Sequence, residues 1–371
     1  MKYYIVAGER SGDLHGGNLT RSLKELDPGA SVRGWGGEYM ESAGAVLVKH
    51  YRDLAFMGFM EVLINFRKIL ANLDFCRRDI LRFSPDVIIL IDFAGFNFRI
   101  ASFARKQGIR VFYYISPKIW AWYTSRVYKI KSSVERMFVI LPFEVDFYRR
   151  FDVQVDYVGN PVAEAVRKHK TDPEFTGSIR ESGFKKVAAL LPGSRYQEVY
   201  QAIPLMMEIA EKHKEVLFLV AAVNNLPQSL YASCLHKSNV RVVPEKAYDI
   251  LSVSQAAIVT SGTATLETAL WKVPQVVIYK ANLWISALIA RMVIKVRYIS
   301  LVNLICDREV VKELIQENLT TVNLLEEFNR IQNDEKRREE MLNGYREAEE
   351  KLGYDIASEK AAKLMVTYLR N

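Results

Sequence analysis

The sequence has few cysteines and histidines, and neither type is arranged as a metal site requires. The three cysteines, Cys76, Cys234 and Cys306, are widely spaced and form no Cys-x-x-Cys pair. This spacing argues for a reducing compartment and against a structural zinc or disulfide framework. The five histidines show no His-Glu-x-x-His pattern. We therefore expect no metal site and no other cofactor.

Long apolar runs are also missing, since none approaches the ~20 residues that a membrane-spanning helix needs. Met1 and Lys2 lead directly into a strand-like segment without an N-terminal signal, so a cytosolic or peripheral protein is expected. The absence of a Walker lysine motif and of a Gly-x-Ser-x-Gly elbow argues against P-loop ATPases and α/β-hydrolases. The basic residues are dispersed without a recognisable nucleic-acid module, and we expect no nucleic-acid partner.

The chain does have length, apolar content and positive charge. Half of its 371 residues are hydrophobic and a quarter are charged, which suits two α/β domains of about 150 to 200 residues each. Its net charge of +8 favours anionic partners such as nucleotide phosphates or an acidic membrane surface. The Gly159-Asn160-Pro161 break and the charged stretch 167–183 mark a boundary. We predict domains over 1–165 and 166–345, followed by a helix over 346–371 that packs back on the first domain or on a second subunit.

A strand-turn-helix segment in the second half has the composition of a phosphate site. The apolar strand 257–259 is followed by Ser261, Gly262 and Thr263, whose hydroxyls and flexible glycine suit the start of a helix. Free backbone N–H groups there would point at an anion. Glu267, one turn later, is placed to accept hydrogen bonds from a ribose. Alone, this turn is more simply an ordinary capped helix.

A second turn upstream changes that balance. The strand 186–191 ends in Pro192, and Gly193 then lets the backbone turn under a diphosphate. Ser194 is predicted to cap the next helix, and Arg195 offers a bidentate cation to a phosphate. Two such turns in one domain favour a nucleotide-diphosphate site.

Asp92 is the candidate catalytic residue. It stands at the end of the strongly apolar strand 87–91, and ligands of open α/β sheets collect at that edge. A carboxylate desolvated between Ile91 and Phe93 has a raised pKa and suits a general base. The structural alternative is a helix cap.

Candidates for an acceptor site come from three segments of the first half. The glycine-rich loop 8–13 contains Ser11, Gly12 and Asp13, and it is either a binding loop or a tight connection with Asp13 as the first carboxylate of a helix at 14–26. The segment 54–70, with Met57 and Glu61, is apolar around most of its circumference and suits either lipid contact or core packing. The loop 116–126, with Trp120, is either a substrate wall or a packing element.

Two further segments of the second half carry expectations. The stretch 283–296 is amphipathic and cationic, and it suits either an anionic bilayer or a core position. The stretch 301–316 carries polar residues, among them Asn303, Glu309 and Gln316, that we expect to approach the nucleotide.

Taken together, these motifs resemble the lipid-A-disaccharide synthases, bacterial inverting glycosyltransferases with the GT-B architecture. The resemblance covers nearly the whole chain and rests on these segments in order: VAGERSGD, LAFMGFMEVL, SPDVIILIDFAGFN, YYISPKIWAW, LPFE, YVGNP, ALLPGSR, TSGTATLE and YISLVNLICDREVVKELIQE. It implies an α/β fold of two Rossmann-like parallel-sheet domains facing a central cleft, with the acceptor bound by the first domain and the UDP donor by the second.

The resemblance also implies substrates and roles. A 2,3-diacylglucosamine unit would pass from its UDP derivative to 2,3-diacylglucosamine 1-phosphate, forming a β-1,6 disaccharide at the inner-membrane surface. Asp92 matches the proposed general base, Arg195 a phosphate-contacting arginine and Asn303 a nucleotide-side asparagine. Ser261, Gly262, Thr263 and Glu267 match the UDP-binding turn and helix. A homodimer that exchanges C-terminal helices is also implied.

Two departures from the family pattern stand out. Gly95 replaces the aspartate of a Pro-Asp-Phe-Asn sequence, so any role of that second carboxylate is absent, and Val302 replaces a proline before Asn303. The alternatives to this reading are a UDP-N-acetylglucosamine 2-epimerase and a non-catalytic nucleotide-sugar or nucleic-acid binding protein.

Overall fold

The computed structural model describes residues 1–54, 66–121, 124–280 and 297–371, which form two compact units. The first unit comprises Met1–Pro161 together with Tyr354–Asn371, and the second comprises Val162–Gly353. Each unit is built on one parallel sheet, which confirms the predicted fold class of two α/β domains. Within these ranges, no helix is long and apolar enough to cross a membrane.

The first sheet has seven strands in the order β3-β2-β1-β4-β5-β6-β7. Its central strands are continuous apolar runs because helices cover both faces of a parallel sheet; all five residues of Val87–Ile91 are 0% exposed. The strands are β1 (Lys2–Ala7), β2 (Ser31–Gly36), β3 (Val46–His50), β4 (Val87–Ile91), β5 (Arg110–Tyr114), β6 (Arg136–Val139) and β7 (Val155–Tyr157).

The second sheet has six strands in the order β10-β9-β8-β11-β12-β13. Two of them, β8 and β11, match the predicted strands 186–191 and 257–259 to within one residue. The edge strand β13 was not predicted, because its sequence Lys-Glu-Leu-Ile is half polar. The strands are β8 (Lys186–Leu191), β9 (Val216–Ala222), β10 (Val240–Pro244), β11 (Ala256–Thr260), β12 (Gln275–Tyr279) and β13 (Lys312–Ile315).

Helices connect the strands and pack on both faces of the sheets. The α-helices of the described ranges are α1 (Arg10–Leu26), α2 (Glu38–Ser42), α3 (Phe66–Phe83), α4 (Ala94–Lys106), α5 (Val127–Ser133), α6 (Pro142–Arg149), α7 (Pro161–Lys168), α8 (Pro173–Arg180), α9 (Tyr196–Lys212), α10 (Ala247–Val253), α11 (Ala264–Leu270), α12 (Leu301–Cys306), α13 (Thr321–Asn333), α14 (Glu335–Leu352) and α15 (Ala357–Arg370). Short 3₁₀ helices span Tyr51–Leu54, Thr124–Arg126, Gln228–Cys234 and Gln316–Asn318.

The first sheet has a separate apolar layer on each face, because successive side chains of a strand point to opposite sides. Tyr4 and Val6 of β1 belong to one buried cluster, and Tyr3 and Ile5 to the other. The second cluster contains residues of α1 and α15. The last helix of the chain therefore packs against the first helix, within the first unit.

Helix α1 begins earlier than the sequence pattern suggests. It starts at Arg10, so Ser11, Gly12 and Asp13 lie in its first turn and not in a loop before Leu14. Its glycines have poor helix propensity, but packing requires them: a Cβ on Gly17 would lie 2.6 Å from the Tyr39 carbonyl oxygen. Gly17 thus allows close contact between α1 and the segment of α2.

In both sheets the strand order reverses beside the first strand of the unit. The first reversal lies between β1 and β4, and the second between β8 and β11. Ligands of doubly wound sheets bind outside the carboxyl ends of the strands at such a switch point. A ligand is therefore expected beside the residues that follow these four strands.

Candidate functional site

The turn after β4 carries Asp92 in an unusual backbone conformation. Asp92 and Phe93 have φ angles of 44° and 45°, in the left-handed region, which costs about 1–2 kcal/mol for each non-glycine residue. The Asp92 carbonyl oxygen accepts hydrogen bonds from the Tyr113 hydroxyl and from Asn97 Nδ2, the latter at 2.8 Å. These two buried donors hold the turn in place. Backbone strain of this kind concentrates at functional sites.

The Phe93 ring spans the first switch point. It packs against Gly8, the residue after β1, where a Cβ would lie only 2.3 Å from the ring. Any other residue at position 8 would displace Phe93 and with it the neighbouring Asp92. Gly8 therefore makes room for the Phe93 ring and so helps to position the turn that contains Asp92.

The environment of Asp92 favours its neutral form more than water would. The side chain is exposed, but the protein around it desolvates the carboxylate and raises its pKa to about 6. The negative charge of Glu9 adds to the rise in pKa, whereas the charge of Lys118 and the backbone N–H of Phe93 oppose it. No side chain caps α4, so the capping alternative for Asp92 is wrong. A carboxylate with this pKa is ionised at neutral pH and still has appreciable proton affinity.

Asp13 has a structural role that the sequence did not reveal. Its carboxylate is 0% exposed and accepts hydrogen bonds from the backbone N–H groups of Gly37, Tyr39 and Met40 at 2.7 to 3.1 Å. Asp13 lies in the first turn of α1, as the expectation of a helix-start carboxylate requires. Its hydrogen bonds, however, cap α2, because α2 begins directly beside the first turn of α1. Ser11 is exposed and Gly12 is buried. The acceptor-site assignment of all three residues stays a prediction.

The loop after β5 is held by a buried carboxylate that sequence reasoning missed. Glu144 is 1% exposed and accepts hydrogen bonds from the N–H groups of Ile140 and Leu141 and from Trp120 Nε1, the last at 3.2 Å. Desolvation raises the pKa of Glu144 to about 7, although these hydrogen bonds oppose the rise. The Pro-Phe-Glu sequence at the start of α6 is the signal that was available, since glutamate at the third helical position forms a capping box.

Trp120 itself lies in a defined position. Its indole meets the Phe143 ring edge to face, with centroids 5.0 Å apart. The same loop is fixed at its start, where Ser116 Oγ and the Tyr148 hydroxyl are 2.6 Å apart. These contacts hold the loop in a fixed position at the carboxyl edge of the sheet. The role of Trp120 as a substrate wall stays a prediction.

At the second switch point, the turn after β8 requires glycine. Gly193 has a φ of 110°, and a Cβ there would lie 2.5 Å from Glu198 Oε2. That oxygen accepts hydrogen bonds from the N–H groups of Ser194 and Arg195, at 3.1 and 3.2 Å. The prediction that Ser194 caps α9 is therefore wrong, because the Glu198 side chain folds back over the turn and takes that role. Arg195 Nη1 lies 3.3 Å from Glu198 Oε1 and the arginine side chain is 69% exposed.

The turn after β11 lies beside the turn after β8. Leu191 pairs with Val259, and the Thr260 hydroxyl donates a 3.0 Å hydrogen bond to the Pro192 carbonyl. The structure thus brings Gly193, Ser194 and Arg195 to the same edge as Ser261, Gly262 and Thr263. The expected hydroxyl cap of α11 is absent: Thr263 makes no capping hydrogen bond, and the Ser261 hydroxyl donates a hydrogen bond to the Ile299 carbonyl.

Glu267 lies one turn inside α11 and is partly buried. Desolvation raises its pKa to about 7, and a hydrogen bond with the Tyr248 hydroxyl opposes that rise. Its predicted contact with a ribose needs only an acceptor oxygen, which the group offers in either protonation state.

The three polar residues of the stretch 301–316 are separated in the structure. Asn303 is 0% exposed; its Oδ1 accepts from the N–H groups of Val310 and Val311, and its Nδ2 donates to the Val311 carbonyl and to Glu313. Glu309 lies before β13 and forms an ion pair at 3.6 Å with Lys312, the first residue of that strand. Gln316 follows the carboxyl end of β13 and so shares an edge with the two turns. The contacts give Asn303 a structural role, and its contact with a nucleotide stays a prediction.

Three of the expectations fall outside the described residues. Met57 and Glu61 belong to the stretch 55–65, and the predicted membrane-surface segment 283–296 belongs to the stretch 281–296.

Comparison with known proteins gives one consistent result at the level of sequence. The family model for lipid-A-disaccharide synthetase matches residues 3–366. The lipid-A-disaccharide synthase of Syntrophus aciditrophicus is 38% identical over 376 residues, covering 99% of this chain and 97% of its own. That of Geobacter metallireducens is 36% identical and covers 98% and 96%, respectively.

Solved structures resemble the chain in fold. The UDP-GlcNAc 2-epimerase from Neisseria meningitidis bound to UDP-GlcNAc has a TM-score of 0.67 at 16% identity, over 100% of both chains. The glycotransferase of kitacinnamycin has a TM-score of 0.65 at 17% identity, over 99% of each. At such identities the likeness shows the GT-B fold and not the activity. The match over nearly the whole sequence decides the family: this chain belongs to the lipid-A-disaccharide synthase family of glycosyltransferases.

Proposed function

We propose that the chain transfers a 2,3-diacylglucosamine unit from its UDP derivative to the 6-hydroxyl of 2,3-diacylglucosamine 1-phosphate, with inversion at the anomeric carbon. The products are a β-1,6-linked disaccharide and UDP. Family membership supports the class of reaction. The arrangement of charged groups at the two switch points supports the assignment of roles.

In this reaction Asp92 takes the proton of the acceptor hydroxyl. As that proton leaves, the hydroxyl oxygen forms a bond to the anomeric carbon of the donor. The bond from that carbon to the β-phosphate oxygen breaks at the same time, and UDP leaves with the bonding electron pair. A single displacement of this kind inverts the anomeric centre.

Donor binding is assigned to the second switch point. Arg195 extends an exposed guanidinium there, suited to bidentate contact with phosphate. With the N-terminus of α9, it would stabilise the charge that develops on the departing diphosphate. Ser261, Gly262 and Thr263 line the adjacent turn, and Glu267 and Gln316 are the proposed contacts for the nucleoside side.

The single observation that carries the proposal is the state of Asp92. A strained turn braced by Tyr113 and Asn97 presents a carboxylate with a pKa near 6 at the carboxyl edge of the first sheet. A general base needs this combination of accessibility and proton affinity. A purely structural carboxylate such as Asp13 is instead buried and saturated with hydrogen bonds.

The test is UDP release by the purified protein with each substrate alone and with both together. Release that requires both lipid substrates, with a disaccharide of the expected mass and a β-anomeric proton–proton coupling, is the expected result. Conversion of water-soluble UDP-N-acetylglucosamine without an acceptor would contradict the proposal and favour the epimerase alternative.

We also propose that the protein works at the inner-membrane surface, where its diacylated substrates lie, and that it acts as a homodimer. The net charge of +8 supports attraction to an anionic bilayer. Co-sedimentation with anionic but not zwitterionic vesicles is expected, and analytical ultracentrifugation tests the dimer.

A further inference from the structure

The loop after β5 presents one cation to solvent from an otherwise buried segment. From Val111 to Ile119, every residue is buried except Lys118. The loop is anchored on both sides of Lys118, by the contact of Ser116 with Tyr148 and by the hydrogen bond from Trp120 to Glu144. The backbone that carries Lys118 is therefore fixed, and its side chain alone extends outward.

Strand pairing puts this loop beside Asp92. Strands β4 and β5 are neighbours, Ile91 pairs with Tyr114, and the Asp92 N–H donates a 3.3 Å hydrogen bond to the Tyr114 carbonyl. Lys118 follows Tyr114 by four residues. The charge of Lys118 lowers the pKa of the Asp92 carboxyl group, as a neighbouring cation does.

The Lys118 ammonium has no partner among the described residues. In the part of the chain that the structure describes, it makes no hydrogen bond or ion pair, whereas Arg110, Lys131 and Arg149 of the same unit are each paired with a carboxylate. A free ammonium on a fixed loop suits a doubly charged phosphate, which it binds as a point charge.

We propose that Lys118 binds the phosphate group of the acceptor and so makes the enzyme specific for a phosphorylated acceptor sugar. This inference rests on the proposed function, in which the acceptor hydroxyl lies at Asp92. Hydroxyl and phosphate belong to one sugar ring, so a cation beside the base is within reach of the phosphate. Glu9, which also acts on Asp92, repels a phosphate from its own side and so favours the side of Lys118.

The experiment combines a change in the protein with a change in the substrate. Lys118→Gln and Lys118→Arg are compared with wild type, using the 1-phosphate acceptor and the same diacyl sugar without phosphate, each as substrate and as competitive inhibitor. Lys129→Gln, at another exposed lysine of the first unit, is the matched control. Work at about pH 8 keeps Asp92 ionised in all variants, since its pKa is about 6.

For Lys118→Gln, we expect the KM for the phosphorylated acceptor to rise about 10- to 100-fold, as for loss of a hydrogen bond to a charged group. The constants for the unphosphorylated sugar and for UDP should stay within about twofold, because no phosphate contact of theirs is removed. Lys118→Arg should restore most of the affinity, and Lys129→Gln should resemble wild type.

Equal losses with both acceptors would overturn the inference, because Lys118 would then act only through Asp92 or the loop. Unchanged affinity for the phosphorylated acceptor would overturn it as well. Failure of the proposed function is a separate result, seen as a wild-type enzyme that releases no UDP with both lipid substrates.

Discussion

The two switch points differ in whether their charged side chain is paired with a group of opposite charge. At the first, the Asp92 carboxylate has no ion pair with any described residue, and the surrounding protein raises its pKa to about 6. At the second, Arg195 forms an ion pair with Glu198, 3.3 Å away. Glu198 also accepts hydrogen bonds from the N–H groups of the turn. The backbones differ too: two non-glycine residues are left-handed in the first turn, and a glycine takes that conformation in the second.

The difference matches the chemistry that each turn has to perform. A general base needs proton affinity, which compensation by a cation would remove. A phosphate ligand needs a charge that is held in place and easily transferred to the substrate. An exposed ion pair suits this because it contributes only about 0–1 kcal/mol and yields to a stronger anion.

Removing the charge of Asp92 should have the largest effect. Asp92→Asn keeps the size of the side chain and tolerates a left-handed backbone, but it cannot accept a proton. Turnover should fall about 10²- to 10⁴-fold, whereas the Kd for UDP, measured by calorimetry, should not change. Near-normal turnover would remove Asp92 as the base and end the contrast between the two turns.

Removing the charge of Arg195 should act on binding. Arg195→Ala should raise the Kd for UDP and the KM for the donor by a similar factor, about 10- to 100-fold, because the same diphosphate is contacted in both. Arg149→Ala is a suitable control, since Arg149 is similarly exposed, at 75% against 69% for Arg195, and has a local carboxylate partner in the first unit. If UDP and donor bind Arg195→Ala as tightly as wild type, the diphosphate site lies elsewhere.

The pH profile separates the two turns without mutation. Because Asp92 must be ionised to act as a base, kcat/KM should fall about tenfold per pH unit below its pKa of about 6. The Kd for UDP, corrected for the ionisation of its own terminal phosphate near pH ~6, should not follow that titration. The residual activity of Asp92→Asn should lose the acid limb, and an unchanged limb in that variant would assign it to another group.

Changes at Glu198 test whether it supports the donor turn or competes with the diphosphate. We expect support, because its carboxylate orients the N–H groups of Ser194 and Arg195. Glu198→Ala should weaken UDP binding about fivefold, as for loss of a helix cap worth about 1 kcal/mol. Glu198→Gln, which also forms capping boxes, should stay within about twofold. Tighter UDP binding in both variants would make Glu198 a competitor.

The sequence was sufficient for most of the fold because of the way parallel sheets are built. Strands such as Val87–Ile91 are covered on both faces and read as unbroken apolar runs. The edge strand Lys312–Ile315 is half polar, so its sequence does not predict a strand. The charged turns at Asp92 and Arg195 could also be located, because each directly follows a recognisable strand.

Side-chain roles that depend on distant partners could not be read in this way. Asp13 caps a helix that begins 25 residues later in the chain, and Asn303 is saturated by a segment beyond its own helix. Glu144 and Glu198 sit at the third position of their helices, a pattern that marks a capping box. The pattern does not reveal that one holds Trp120 and the other Arg195, since these contacts depend on the fold.

The smallest expected effect concerns stability. Folding raises the pKa of Asp92 from 3.8 to about 6, so the folded state gains less from ionisation than the unfolded chain does. The contribution of this group to stability is therefore fully present below about pH 4 and is lost as the pH rises through about 6. Asp92→Asn avoids that loss and should unfold at a higher temperature than wild type at pH 7, by roughly 2 °C, since the side chain is solvent-screened.

Asp152→Asn provides the matched control for this measurement. Asp152 is also left-handed, with a φ of 54°, but its side chain is 94% exposed. The exchange therefore reports the backbone preference together with the loss of an exposed ion pair with Lys131 at 3.9 Å, which is worth about 0–1 kcal/mol. The excess gain of Asp92→Asn over Asp152→Asn should shrink as the pH is lowered through about 6 and disappear below about pH 4, where the carboxyl group is protonated in the folded and the unfolded state. If Asp92→Asn were less stable than wild type at pH 7 while Asp152→Asn was unchanged, the charge would stabilise its turn. Both switch points would then compensate their charges, and the contrast that assigns the base to the first of them would fail.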